Sequence, residues 1–134
     1  MHLHALSLAD FRNYEKLDFR PSEGLNVLLG PNAQGKSGIL EAIYVLATSK
    51  SHRTSHDADM IRIGQQMAKV HGDIKRTARN DVSLEIILSR SDSKTVKINT
   101  VRHPRIGDIV GQLNAGLFSS SDLDMVKGEP SRRR

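Results

Sequence analysis

Eight consecutive residues constrain this chain more than anything else in it. Gly30-Pro31-Asn32-Ala33-Gln34-Gly35-Lys36-Ser37 matches G-x-x-x-x-G-K-[ST] at every specified position. Glycine lets the backbone turn tightly and approach an anion with no Cβ in the way. The exposed N–H groups of such a loop form a concave anion site, and the helix that follows points its positive end at the same place. Lys36 is then expected to reach the β- and γ-phosphates of a nucleotide, and the Ser37 hydroxyl to bind Mg²⁺. Residues 30–37 are therefore the candidate cofactor site, with ATP and Mg²⁺ as the expected cofactors.

A phosphate-binding loop of this type joins a strand to a helix, and the flanks fit. Leu25-Asn26-Val27-Leu28-Leu29 is a short, mostly apolar run, expected to be a strand buried on both faces. From Ser37 the period changes: Ile39, Leu40, Ile43 and Leu46 follow helical spacing, and the helix is expected to end near Ala47-Thr48. Upstream, Leu6 and Leu8 alternate with polar residues and predict a strand over 2–9. Leu17 and Phe19 predict a second, with Arg12-Asn13-Tyr14 near the turn. Pro21-Ser22-Glu23-Gly24 is a turn signal.

Downstream, 50–59 is polar and reads as a loop. Lys69–Gly72, Val82–Leu88 and Thr95–Ile98 are strand-like, the last two joined through Arg90-Ser91-Asp92-Ser93. Ile106, Ile109, Val110 and Leu113 have helical spacing, Ala115–Phe118 resembles a short buried strand, and Ser121 is placed to cap a helix through Leu123, Met125 and Val126. The expected fold class is α/β, a P-loop NTPase: a mixed sheet with the P-loop helix packed against it and an antiparallel β subdomain over about 66–100.

Composition excludes some classes. Aromatic residues make up 4% and there is no Trp, so aliphatic side chains must fill the core. No run approaches the roughly 18 apolar residues of a membrane span, and no membrane partner is expected. With no Cys there are no disulfides or thiolate metal sites, which fits a cytoplasmic location. Six His residues show no zinc-like pairing with carboxylates. The net charge of +5 favours a polyanionic partner or is simply the balance of a slightly basic protein.

ATP hydrolysis needs more than this loop: an Asp at the end of an apolar strand to hold Mg²⁺, and a nearby Glu to position water. Ile86-Ile87-Leu88 runs into Ser89-Arg90, Ala115-Gly116-Leu117-Phe118 into three serines, and Ile109-Val110 into Gly111. No segment qualifies, so no catalytic residue is assigned and the stretch by itself is not expected to be an enzyme.

Further segments accompany the loop. Asp10-Phe11-Arg12-Asn13-Tyr14 precedes it, Leu40-Glu41-Ala42-Ile43-Tyr44 follows it, and Lys50-Ser51-His52-Arg53-Thr54 lies after the helix. Near the end stand Leu117-Phe118-Ser119-Ser120-Ser121-Asp122-Leu123 and Val126–Arg134. Together these resemble the RecF family of bacterial DNA replication and repair proteins, in the SMC-like branch of ABC-type ATPases, from residue 1 to residue 134. The family usually carries Pro-Glu-Asp-Leu where this chain has Ser120-Ser121-Asp122-Leu123. The resemblance implies the N-terminal lobe of an ABC-type ATPase head, with the signature segment and the acidic strand beyond residue 134. The closing Arg132-Arg133-Arg134 also suggests a segment of something longer.

What the family implies is binding of ATP, single-stranded DNA and double-stranded DNA. It also implies homodimerisation around ATP and assistance to RecA loading at gaps with RecO and RecR, with a weak DNA-dependent ATPase in the full-length protein. It adds Arg12 to the cofactor-binding set, approaching the nucleotide from beside the P-loop; a surface arginine near a turn is the plainer reading. Asn32 either senses the γ-phosphate or tolerates tight turn geometry. His52-Arg53 is a candidate contact to nucleotide or DNA, and Lys75, Arg76 and Arg79 are either a DNA contact or a solvated face. From other functional classes, a P-loop small-molecule kinase and a nucleotide-dependent scaffold that never turns over ATP stay open.

Overall fold

The computed structural model describes residues 1–29 and 36–116. Its centre is a six-stranded sheet built largely from apolar–polar alternation. The strands are β1 (His2–Phe11), β2 (Tyr14–Phe19), β3 (Met67–Lys75), β4 (Val82–Ser89), β5 (Thr95–Ile98) and β6 (Val101–His103). Their order is β2-β1-β3-β4-β5-β6 and every pairing is antiparallel. The helix α1 (Lys36–Thr48) lies on one face.

The register assembles that face row by row. Leu17, Leu8, Val70, Ile86 and Val96 stand directly across from one another on five strands. The neighbouring row is Phe19, Leu6, Gly72, Leu84, Ile98 and Val101. Ala42, Val45 and Leu46 of α1 are buried with these residues. The row between them belongs to the other face and is polar throughout: Asp18, Ser7, His71, Glu85, Lys97 and Arg102. Each core Leu, Ile or Val contributes about 1.5–3 kcal/mol by leaving water, so this one-sided alternation decides which face the helix covers.

Gly72 lies under α1 for a steric reason: a Cβ there would fall 2.6 Å from Leu46 Cδ1. Its missing side chain lets the helix settle on the sheet.

Several sequence expectations need correction. Leu25–Leu29 forms no strand, and Leu25, Val27 and Leu29 are 90%, 68% and 86% exposed. A strand exists by pairing, and among the described residues no strand pairs with this segment's backbone; the Asn26 side chain bonds back to Ser22 and Gly24, and only Leu28 packs against the core. The sheet is accordingly antiparallel rather than mixed over the described residues. Residues 66–100 contribute β3, β4 and β5 to the same sheet as β1 and β2.

Ile106–Leu113 forms only a 3₁₀ turn, Ile106–Ile109. Glycines at 107 and 111, the latter at φ 92°, oppose a longer helix. The 50–59 loop contains a 3₁₀ turn at Asp57–Met60. Ala115 and Gly116 are exposed and irregular; the rest of the strand proposed over Ala115–Phe118, and the helix after Ser121, lie outside the described residues.

Candidate nucleotide-binding site

Lys36 opens α1, and Ser37 is exposed on its first turn. Gly30, Pro31, Asn32, Ala33, Gln34 and Gly35 lie outside the described residues. The positive end of a 13-residue helix is therefore where the motif places it, immediately after the loop. The helix is seated closely at that end: an added Cβ on Gly38 would meet Tyr14 Cε2 at 3.6 Å and Arg12 Cβ at 3.9 Å. The turn between β1 and β2 thus abuts the residue next to Ser37.

That turn is unusual backbone. Phe11 pairs with Tyr14, so Arg12 and Asn13 form a two-residue connection, and both Asp10 (φ 50°) and Arg12 (φ 53°) are left-handed. Such conformations cost about 1–3 kcal/mol each in a non-glycine residue and persist where surroundings over-determine them. Here Arg12 N–H donates to Met60 O and Arg62 N–H to Asp10 O, both at 2.8 Å. Phe11 bridges Ile61, and Arg62 pairs with Asp10 at 3.4 Å. The 57–62 segment clamps the turn on both sides.

The Arg12 side chain runs along α1 to Glu41. Its Nε and Nη2 donate to the two carboxylate oxygens at 2.7 Å each, a two-pronged fork. Glu41 has no exposed surface and is the one charged residue so buried among the described residues. Ser51 Oγ donates to the same carboxylate and accepts from the N–H groups of Arg53 (2.9 Å) and Thr54 (3.2 Å). Arg53 Nη1 stands 3.7 Å from Glu41.

Burial alone would push the Glu41 carboxyl up. The hydrogen bonds from Arg12 and Ser51, with the charges of Arg12 and Arg53, outweigh it and hold the group below its ordinary value. The same hydrogen bond raises Arg12, against the opposing pull of its own burial. Glu41 is thus ionised and ties together three segments: the β1–β2 turn, α1 and the 51–54 loop.

Beside this hub is a shallow cavity of about 500 Å³ whose lining includes Arg12, Arg53, Asp59, Ile63 and Arg90. His52 packs edge-on against Tyr44, ring centres 5.5 Å apart, next to the exposed Lys50. Lys94, from the β4–β5 connection, donates to Ser49 O at 2.7 Å and pairs with Asp57 at 3.0 Å, closing the far end of α1.

The structure brings Arg12 and Arg53 together and keeps Lys75, Arg76 and Arg79 away. These lie at the opposite end of β3 from Arg62 and Arg90, whose segment pairs at Met67. At about 3.3 Å per residue along a strand, that is most of β3's length. Arg76 is engaged with Asn80 O at 2.7 Å and Gln112 Oε1 at 3.2 Å.

Sequence reasoning missed Glu41 and Ser51 as site residues. A signal was present: Glu41 shares the buried face of α1 with Gly38 and Val45, three and four residues away. A carboxylate there requires a cation from elsewhere.

Residues 2–124 match the family model described as the RecF/RecN/SMC N terminal domain. A DNA replication and repair protein RecF of Geobacillus kaustophilus is 43% identical over the whole chain, which covers 36% of that protein. The RecF of Lactococcus lactis subsp. lactis is 47% identical, again over the whole chain and 37% of the relative. The chain thus spans about a third of the length of these relatives. Among solved structures, that of the recombination mediator protein RecF with ATP in the RecFOR pathway superposes with a TM-score of 0.89 at 30% identity. That match covers 98% of this chain and 36% of the other. A structure from a study of ATP-driven dimerisation of SMC ATPases shares the fold, with a TM-score of 0.77 at 23% identity over 99% of this chain and 95% of the other. From the P-loop motif, the helix seated on an antiparallel sheet and these matches, the chain belongs to the RecF/RecN/SMC N-terminal domain family and is the N-terminal lobe of an ABC-type ATPase head.

Proposed function

We propose that this chain supplies the phosphate-binding half of an ATP site in a DNA-binding protein of recombinational repair and replication restart. The observation that carries the reading is the seating of α1. The helix that follows the G-x-x-x-x-G-K-S loop has its first turn against the β1–β2 turn, with Arg12 fixed beside it by a buried carboxylate. Lys36 and the backbone N–H groups of the 30–37 stretch other than Pro31 hold the β- and γ-phosphates, and the Ser37 hydroxyl holds Mg²⁺. Arg12 adds positive charge on the sheet side.

The similarity to RecF proteins at over 40% identity supports the wider reading. The complete protein binds single- and double-stranded DNA, pairs with a second copy around ATP, and acts with RecR and RecO to assist RecA at gaps. The residues that complete hydrolysis come from outside this stretch, and turnover is weak and DNA-dependent. The likeness to RecF repair proteins supports work in the cytoplasm; no helix among the described residues is long and apolar enough to cross a membrane.

The test is titration calorimetry of Mg-ATP with the complete gene product. Lys36→Ala removes the cation that meets the β- and γ-phosphates and is expected to weaken binding at least about tenfold, the scale of one charge-assisted hydrogen bond. An unchanged affinity would refute the assignment.

A further inference from the structure

Glu41 is not part of the phosphate-binding motif, yet it is the most completely enclosed charge among the described residues. A buried carboxylate is costly unless paired and fully hydrogen-bonded. A helix seated on a sheet does not need one; an apolar side chain of the same volume would serve packing as well or better. What Glu41 does, which an apolar residue cannot, is fix cations. It holds Arg12 by a fork of two 2.7 Å bonds. Through Ser51, which in turn accepts from Arg53 N–H and Thr54 N–H, it orders the turn that presents Arg53.

Both arginines line the open cavity beside Glu41, and Arg53 also borders a neighbouring one with Ser51 and Lys94. The Arg12 fork engages two of the guanidinium's five N–H donors, so the same rigid group is able to face a second anion. Arg53 differs: it is 42% exposed and stands 3.7 Å from the carboxylate, held by charge rather than by a hydrogen bond.

We infer that Glu41 is a positioning residue for the nucleotide, holding Arg12 in a single orientation beside the first turn of α1 and setting Arg53 at the mouth of the same cavity. The inference rests on the nucleotide-binding reading above and deepens it. Arg12 meets the phosphates without having to be ordered when they arrive, because the ion pair with Glu41 has already ordered it. Arg53, more loosely held, retains freedom to turn toward a bound anion.

The experiment is a double-substitution cycle in the complete gene product, reading Mg-ATP affinity by calorimetry and, separately, melting temperature without nucleotide. Arg12→Ala and Glu41→Gln are each expected to weaken ATP binding roughly tenfold. The double variant is expected to bind little more weakly than Arg12→Ala alone, because Glu41 acts chiefly through Arg12. Full additivity overturns the inference. So does a Glu41→Gln protein that melts lower but binds ATP as tightly as the parent, which would make Glu41 a purely architectural group.

Lys36→Ala separates this inference from the reading beneath it. If Lys36→Ala also leaves affinity intact, the nucleotide site itself is wrong. If it abolishes binding while the Glu41 and Arg12 variants do not, only the positioning role falls. Should Glu41→Gln fail to melt cooperatively, Arg12→Lys decides: it keeps the charge but loses the fork, and parental ATP affinity in that variant refutes the inference.

Discussion

Gly72 shows how much rests on a single missing methyl. Its neighbours in the apolar row are Leu6 and Leu84, and Leu46 of α1 occupies the space where a side chain would stand. Alanine would press on Leu46 at 2.6 Å and on Leu3 Cδ1 at 3.3 Å. Leu46 is fully buried and has little room to yield. Gly72→Ala is therefore expected to destabilise by about 1–3 kcal/mol, the range for an overpacked core, read as a lower urea midpoint at unchanged slope. An unchanged midpoint would mean the helix can shift without penalty. Glu41 has the opposite character at this scale: it fills its site well, and its role lies in charge.

Among the elements, the two tight hairpins are built differently. The β1–β2 turn carries left-handed residues that the 57–62 segment clamps in place. The β5–β6 turn is held on one side only, where Asn99 N–H donates to Ser83 O of β4 at 2.8 Å. Ile98 pairs with Val101, and the two residues between them, Asn99 and Thr100, have φ of 52° and 70°. Two positive φ values in a two-residue loop mark a type I′ turn, which favours Asn followed by Gly. Asn99 suits its position, and its side chain accepts from Ser83 N–H at 3.0 Å. Thr100 does not, since a β-branched residue is strained there. Thr100→Gly is expected to raise stability by about 0.5–1 kcal/mol, the left-handed penalty of about 1–2 kcal/mol less the added freedom of glycine when unfolded. A thermal melt decides it; a lower melting temperature would show that turn strain is not the controlling term. The helix α1 is more conventional: Leu40 is the large apolar side chain it leaves exposed, and Lys94 satisfies the carbonyl of Ser49 past its C-terminus.

For the whole molecule, the decisive feature is how the net charge of +5 is distributed. Arg12, Arg53 and Arg90 gather around one cavity, whereas Lys75 and Arg79 are exposed at the other end of β3. The polar face of the sheet mixes signs, with His71 within 3.4 Å of both Asp73 and Glu85 and Lys97 3.7 Å from Glu85. No recognition helix or set of stacking aromatics stands out among the described residues. DNA binding by the complete protein is therefore expected to run through phosphates, with a log–log salt slope near −0.9 per phosphate neutralised. It should show little preference between two unrelated duplexes, and it should strengthen with ATP as two copies engage one DNA. A salt titration with and without ATP tests all three. A flat slope or a strong sequence preference would reject phosphate contacts, and a steep slope indifferent to ATP would reject pairing around the nucleotide.

Much of this was legible in the sequence because it is encoded locally. Eight adjacent residues carry the whole G-x-x-x-x-G-K-S motif, and α1 ends at Thr48, where its helical periodicity stops. Alternation marks β3 and, but for Ile87, β4, since a period of two needs no knowledge of the partner strand. What the sequence concealed depends on residues far apart in it. Leu25–Leu29 has the composition of a buried strand, but a strand also needs neighbours, and composition is silent on where they are. β6 was missed because Asn99-Thr100 lacks the glycine that advertises its turn. Arg12 and Glu41 are 29 positions apart, and neither alone reveals the ion pair. The sequence by itself determined that a phosphate-loop motif runs directly into a helix packed against strands. Only the tertiary structure decided which cations stand beside it, because a buried carboxylate chooses its partners by proximity in space.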